Sequence, residues 1–220
     1  MGSSPSTCTI LVTGLDAAGK SDLLRGLSWG EVMTTVPTIG LSVDQLSVRS
    51  NAWVFLKERL PVPTFVAADM IQAEEMCMRW RLLPSVLGVG AAIDGVVFVV
   101  DAHDVDRITR SATQAIRTST VEELLPVLLA LQLPTSRERE VLTQFVPTTA
   151  PVVVLANKQD LPQALSADEL SARLNLPAML NGRSWHVQAC SVSNGSGVRE
   201  GVEWLVRAIA AGAHSPRRPV

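Results

Sequence analysis

Basic clusters, paired cysteines and long apolar runs are all missing from this sequence, and each absence narrows what the chain can be. Lysine and arginine total 19 against 21 acidic residues, a formal charge of -2, and the nearest thing to a basic run is Arg217-Arg218. That balance argues against a nucleic-acid partner held by a charged surface. Three cysteines (Cys8, Cys77, Cys190) and three histidines (His103, His186, His214) stand far apart. They form neither a zinc spacing nor a disulfide framework, which fits a reducing, intracellular setting. Apolar stretches such as Gly95-Val100 and Leu124-Leu131 fall far short of the roughly 18 residues a membrane-spanning helix needs. Ser3-Ser4-Pro5-Ser6 is polar, so no signal-peptide core is expected. Lysine itself is scarce, at Lys20, Lys57 and Lys158 only.

What is present suffices for one good-sized domain. The 220 residues are 47% hydrophobic and 18% charged, with a mean hydropathy of +0.25, so a substantial core can form and wholesale disorder is excluded. Cys8-Thr9-Ile10-Leu11-Val12 is short, apolar and β-branched, and reads as a buried strand. Further strands are expected at Gly95-Val100, closed by Asp101, at Val152-Ala156, closed by Asn157, and at Trp185-Ala189. Helical spacing follows Lys20 and recurs over Arg107-Leu131, with Thr120 as a candidate cap, Ala167-Leu174 and Val198-Ala211. Fully apolar strands alternating with helices predict an α/β fold, its mostly parallel sheet covered by helices on both faces. Two regions resist this pattern and default to loop. Residues 41–69 should hold one or two strands but are irregular and contain Pro61 and Pro63, and residues 132–151 read as a surface insertion with a helix of its own at Ser136-Phe145. The expected organisation is a flexible segment over 1–7, one domain over 8–212 with insertions near 47–66 and 132–151, and a tail over 213–220.

Gly14-Leu15-Asp16-Ala17-Ala18-Gly19-Lys20-Ser21 matches the phosphate-binding loop pattern, with a strand before it and a helix after it. Glycines let successive N–H groups converge on a phosphate, and the helix N-terminus adds partial positive charge. Lys20 would reach the β- and γ-phosphates, and the Ser21 hydroxyl would ligate Mg²⁺. The competing reading is a glycine-rich turn that binds nothing. Asp22 suits the helix dipole but not an adjacent phosphate. Asn157-Lys158-Gln159-Asp160 lies at the end of a buried strand, where open α/β sheets bind ligands. The Asp160 carboxylate can accept from N1–H and the 2-amino group of guanine, an arrangement adenine does not offer. Lys158 can lie over the base or loop, and Asn157 can tie this segment to the glycine loop. Alone, Asp160 would read equally well as a helix cap.

The sequence resembles the Arf and Arf-like branch of Ras-type small GTPases. The resemblance rests on Gly14-Lys20, Thr34-Thr35-Val36-Pro37-Thr38-Ile39-Gly40, Val99-Val100-Asp101 with Asp104, Asn157-Pro162, Trp185-Ala189 and Gly201-Leu205. It implies a P-loop NTPase fold of the Ras type with GTP or GDP and Mg²⁺ as ligands. The nucleotide contacts it implies are Gly14, Asp16, Ala17, Ala18, Gly19, Lys20, Ser21, Asp22, Asn157, Lys158 and Asp160. It makes Thr38 the switch I threonine that joins Ser21 on Mg²⁺, and Cys190-Ser191-Val192 the loop whose backbone contacts the guanine oxygen. Effector and regulatory proteins are the expected partners.

Two family features are altered. Members carry an Asp-x-Gly-Gly-Gln run in switch II, about eleven residues before a Trp-Arg pair. Counting back from Trp80 reaches Asp69, but Met70-Ile71-Gln72-Ala73 follows, without the glycines and with alanine at the glutamine position. Asp69 can still hold a Mg²⁺-bound water, and Gln72 stands one place early. The 31 residues from Thr38 to Asp69 exceed the usual family spacing. At the N-terminus, Gly2 and Ser6 fit the loose myristoylation pattern, yet the family's amphipathic helix is missing between Gly2 and Cys8. An unmodified N-terminus competes with peripheral membrane association, and one acyl chain would bind only marginally. The expectation is a cytoplasmic guanine-nucleotide switch with slow or no hydrolysis. A non-hydrolysing scaffold on the same fold is the alternative, and a nucleotide kinase is disfavoured because no acceptor lid is evident.

Overall fold

The computed structural model describes residues 7–14, 17–29, 46–47, 62–67, 93–106, 108, 147 and 149–213. These form the strands β1 (Thr7–Gly14), β2 (Leu46–Ser47), β3 (Val62–Ala67), β4 (Gly95–Asp101), β5 (Val152–Asn157) and β6 (Trp185–Ala189). The helices are α1 (Lys20–Trp29), α2 (Ala167–Arg173), α3 (Leu176–Met179) and α4 (Val198–Ala213). One sheet holds all six strands in the order β2-β3-β1-β4-β5-β6. Every pairing is parallel except that of β2 with β3.

Burial explains why the central strands are apolar throughout. Every residue from Gly95 to Val100 and from Val152 to Asn157 is buried. Successive side chains of a strand point to opposite faces, so both faces of the sheet centre must be covered. On one face Ile10, Val12, Val97, Val99, Val153 and Leu155 join Leu23 and Leu24 of α1 and the apolar stripe of α4. That stripe is Val198, Val202, Leu205, Val206 and Ile209, the spacing of one helix face. The opposite face presents Leu11, Val96, Phe98 and Val100, all buried, and α2 packs beside β6. Two glycines set how closely α4 approaches. A β-carbon on Gly201 would come 2.8 Å from Leu155 Cδ2, and one on Gly95 2.8 Å from Ile209 Cδ1.

The α/β architecture, the four strands expected at Cys8-Val12, Gly95-Val100, Val152-Ala156 and Trp185-Ala189 and the helices expected after Ala167 and Val198 agree with the sequence reading, although β6 is only half-buried. Within 41–69, where one or two strands are expected in an otherwise irregular stretch that defaults to loop, the described residues form two. β2 and β3 lie within that stretch, and β3 runs parallel to β1 from Thr7↔Val62 to Val12↔Ala67. Residues 62–66, assigned above to an insertion, therefore belong to the sheet. Pro63 stands second in the strand, beside β1 but beyond the β2 ladder, which reaches only Thr64 and Phe65. After β4 a helical turn begins at Val105, with Ile108 N–H donating to Asp104 O at 3.1 Å. The remainder of the expected 107–131 helix and the Ser136-Phe145 helix lie outside the described residues. Arg183 Nη1 donates to Pro147 O (3.1 Å) and Ala150 O (3.3 Å), which pins the chain ahead of β5 to the turn before β6. Burial pulls its guanidinium pKa down. Among the described residues no helix is long and apolar enough to cross a membrane.

Candidate functional site

Four strand ends converge on one edge of the sheet. Gly14 ends β1 beside Val99 of β4, Asp101 ends β4 opposite Asn157, and Ala156 of β5 lies opposite Ala189 of β6. The loops that follow carry nearly every described residue that the sequence singled out. This is the carboxyl edge, where open α/β sheets present their binding loops.

The glycine loop turns sharply between β1 and α1. Gly14 has φ +148°, and a β-carbon there would collide with the Val99 carbonyl oxygen. Gly19 has φ +99° and leaves no room for a β-carbon beside the Asn157 amide. Ala17, a non-glycine, is also left-handed at φ +58°, the kind of strained position found at ligand-holding loops. Leu23 N–H donates to Gly19 O at 2.9 Å, the first bond of α1. Lys20 is buried at 4% exposure, and its Nζ donates back across the loop to Gly14 O at 2.8 Å. Ser21 is half-buried in the first turn of α1. Asp22, next along, has an Oδ1 atom shut off from solvent with no hydrogen-bond partner among the described residues.

Asn157 is the junction of the site. It is 3% exposed, its Nδ2 donates to Ala18 O at 2.8 Å, and its Oδ1 accepts from Val192 N–H at 2.9 Å. Cys190 Sγ lies 3.9 Å from the same oxygen, and burial pushes that thiol up to about 12. One amide thus ties β5, the glycine loop and the 190–192 loop together. Cys190 O accepts from Gln159 N–H at 3.1 Å, and Cys190 N–H donates to Ala156 O at 3.0 Å.

Asp160 is exposed at the rim. Ser191 Oγ donates to its Oδ1 at 2.6 Å and lies 2.8 Å from Ser193 Oγ. The Ser191 bond, assisted by the Asp160 backbone, Ser193 and the Lys158 charge, holds the Asp160 carboxyl below its ordinary pKa. Lys158 Nζ pairs with Asp101 Oδ2 at 2.6 Å. Asp101 and Ser193 were not among the expected site residues. For Asp101 the available signal was its place closing β4 just as Asn157 closes β5.

Gly14, Ala17, Ala18, Gly19, Lys20, Ser21, Asp22, Asn157, Lys158, Asp160, Cys190, Ser191 and Val192 are therefore placed along one edge. Gly2, Asp16, Thr38, Asp69 and Gln72 lie outside the described residues, as does Ala73.

The sequence profile of the ADP-ribosylation factor family matches residues 1–55 and 135–209, more than half of the chain. The chain belongs to that family. By family and fold it is an Arf-like small GTPase, a GTP-binding switch protein. Among solved structures the fold matches that of the Arl6 BBS3 small GTPase from Trypanosoma brucei, whose structure holds the nucleotide analogue GppNp. That match has a TM-score of 0.62 at 21% identity and covers 94% of this chain and 99% of that one.

The described residues of this Arf-family chain suit a nucleotide. The glycine loop packs so closely on β4 and on the Asn157 amide that β-carbons at Gly14 and Gly19 would collide with them, and Asp160 presents an acceptor at the rim of the site. Among the described residues no group of three or more His, Cys, Asp or Glu side chains could hold a metal. The hydroxyl of Ser21 suits Mg²⁺ only where phosphate oxygens and waters complete the octahedron, the usual manner of Mg²⁺ at nucleotides.

Proposed function

We propose that the chain binds GDP and GTP with Mg²⁺ between the glycine loop and the Asn157–Asp160 segment, and that its GTP state recruits effector and regulatory proteins. The observation that carries this reading is the Asn157 side chain, which couples Ala18 of the phosphate loop to Val192 of the base loop. Lys20 would counter phosphate charge, Ser21 would ligate Mg²⁺, and Asp160, braced by Ser191, would accept from the guanine edge. Bound Mg²⁺ would neutralise phosphate charge. The setting we infer is the cytoplasm, in membrane traffic or related cell organisation, with any membrane contact peripheral and through Gly2.

Hydrolysis should be slow. In Ras-type enzymes catalysis is mostly positioning and charge stabilisation, with a glutamine orienting the attacking water. Ala73 stands at that position and offers no such group. Residues 70–73 also favour a second reading, a non-hydrolysing scaffold or binding module whose nucleotide is permanent or absent. Loading the protein with GTP and following a single turnover separates the two. The switch reading expects measurable turnover at or below the rate of a glutamine-bearing relative, and faster turnover in Ala73→Gln. No turnover in either protein favours the scaffold, and equal affinity for GDP and ADP rejects the guanine-nucleotide switch.

A further inference from the structure

We propose that Asp101 is a positioning residue: through its ion pair it fixes the Lys158 ammonium and thereby governs how long the site retains a guanine nucleotide. The inference rests on the nucleotide reading above and adds a residue and a kinetic role to it.

Asp101 closes β4 and lies opposite Asn157 in the parallel register. Both of its carboxylate oxygens are engaged. Oδ2 pairs with Lys158 Nζ at 2.6 Å, and Oδ1 accepts from His103 N–H at 3.0 Å. The second bond prevents the carboxylate from turning away from the lysine. The side chains are 32% exposed for Lys158 and 18% for Asp101, so this is not one of the fully solvated pairs that contribute little.

The backbone converges on the same point. Ala102 N–H donates to Asn157 O at 3.0 Å and joins the two strand ends. Lys158 itself sits at φ +67°, a left-handed conformation that a β-carbon disfavours. A tight turn holds it there, with Leu161 N–H on Lys158 O at 3.0 Å and Gln159 N–H on Cys190 O at 3.1 Å. Strained non-glycine positions persist where the surroundings over-determine them, and they concentrate at ligand clamps. Here the turn aims the Lys158 side chain and Asp101 sets where its charge rests. Lys158 lies between Asn157, which holds the phosphate loop, and Asp160, at the base end of the site. An ammonium free to wander would loosen the clamp between those two anchors.

The test is the release rate of a fluorescent GDP analogue, chased with excess GDP, from wild type, D101N, K158M and the double variant. D101N keeps an oxygen for His103 N–H and replaces the charged acceptor facing the lysine with an amide donor. Release should accelerate about tenfold or more in D101N, and the double variant should release no faster than K158M, because the two residues act as one unit. The nucleotide-free state gives a second readout, since with three lysines in the chain the Lys158 ammonium resonance can be assigned by substitution. Its slow proton exchange in wild type should be lost in D101N. Wild-type release rates in D101N, additive effects in the double variant, or an unprotected Lys158 ammonium would each overturn the inference alone. A wild-type protein that takes up no GDP overturns the nucleotide reading and this inference with it.

Discussion

Asp160 and Asp22 are carboxylates at opposite ends of the site with opposite environments. Asp160 is stabilised as an anion by the Ser191 hydroxyl and lies below its ordinary pKa. A group with a depressed folded pKa contributes its stabilisation above the unfolded value, about 3.9 for aspartate, and loses it as pH falls through the folded one. Guanine binding should therefore stay flat across neutral and mildly acid pH and fall only in strong acid. Asp160→Asn converts part of that acceptor into a donor. The loss of a charge-assisted hydrogen bond should weaken GDP binding by about 1.5–3 kcal/mol, with relative preference moving toward xanthosine diphosphate in calorimetry. Among the described residues Asp22 Oδ1 is buried without a hydrogen-bond partner, an arrangement that costs about 1–3 kcal/mol. Its favourable placement at the helix N-terminus returns only about 0.3–1 kcal/mol. The desolvation cost is the larger, so Asp22→Ala should stabilise the protein by about 1 kcal/mol in urea unfolding.

At the scale of elements, α4 shows which interactions hold the sheet's cover in place. Leu205 is fully buried against the sheet, and Leu205→Ala should cost about 2–5 kcal/mol, with the spread set by how far the site collapses. Arg199 pairs with Glu203 one turn later at 2.6 Å on the exposed face. Arg199→Ala should cost under about 0.5 kcal/mol, because exposed pairs are screened and the acid here follows the base, the weaker order on a helix. Chemical denaturation of both variants checks the contrast. The same physics decides which elements the sequence could disclose. β4 and β5 are buried on both faces, so their apolar runs stand out and end abruptly at Asp101 and Asn157. β2 is two residues long and β3 contains Pro63, so neither carries a legible period, and their place comes from pairing with each other and with β1. α3 spans four residues with Pro177 in its first turn, too short for a helical period to register. The phosphate loop and Asn157-Lys158-Gln159-Asp160 were legible because their chemistry sits in contiguous residues. Asp101 stood out as the residue closing β4 and in the family resemblance, but its role did not, because its partner Lys158 is 57 residues away and meets it only through the β4–β5 register.

At the scale of the molecule, one side chain joins the two halves of the site. The Asn157 amide links a loop near residue 18 to one near residue 192, so a ligand that fills the space between them should stabilise the whole domain. A ligand that binds only the folded state adds about 2.7 kcal/mol at one hundred times its dissociation constant. For a chain of this size that corresponds to a rise in melting temperature of about 5–10 °C. Saturating Mg²⁺–GDP should produce such a rise in a thermal melt, and ADP at the same concentration should not. Asn157→Ala removes a buried amide and leaves Ala18 O and Val192 N–H without their partner, each at a cost of about 1–3 kcal/mol. The ligand-free variant should therefore melt earlier, and GDP should restore little of the loss because the two loops are no longer coupled. A full GDP-dependent rise in Asn157→Ala would show that each loop holds its part of the nucleotide independently, and the bridge would then be a packing feature of the fold.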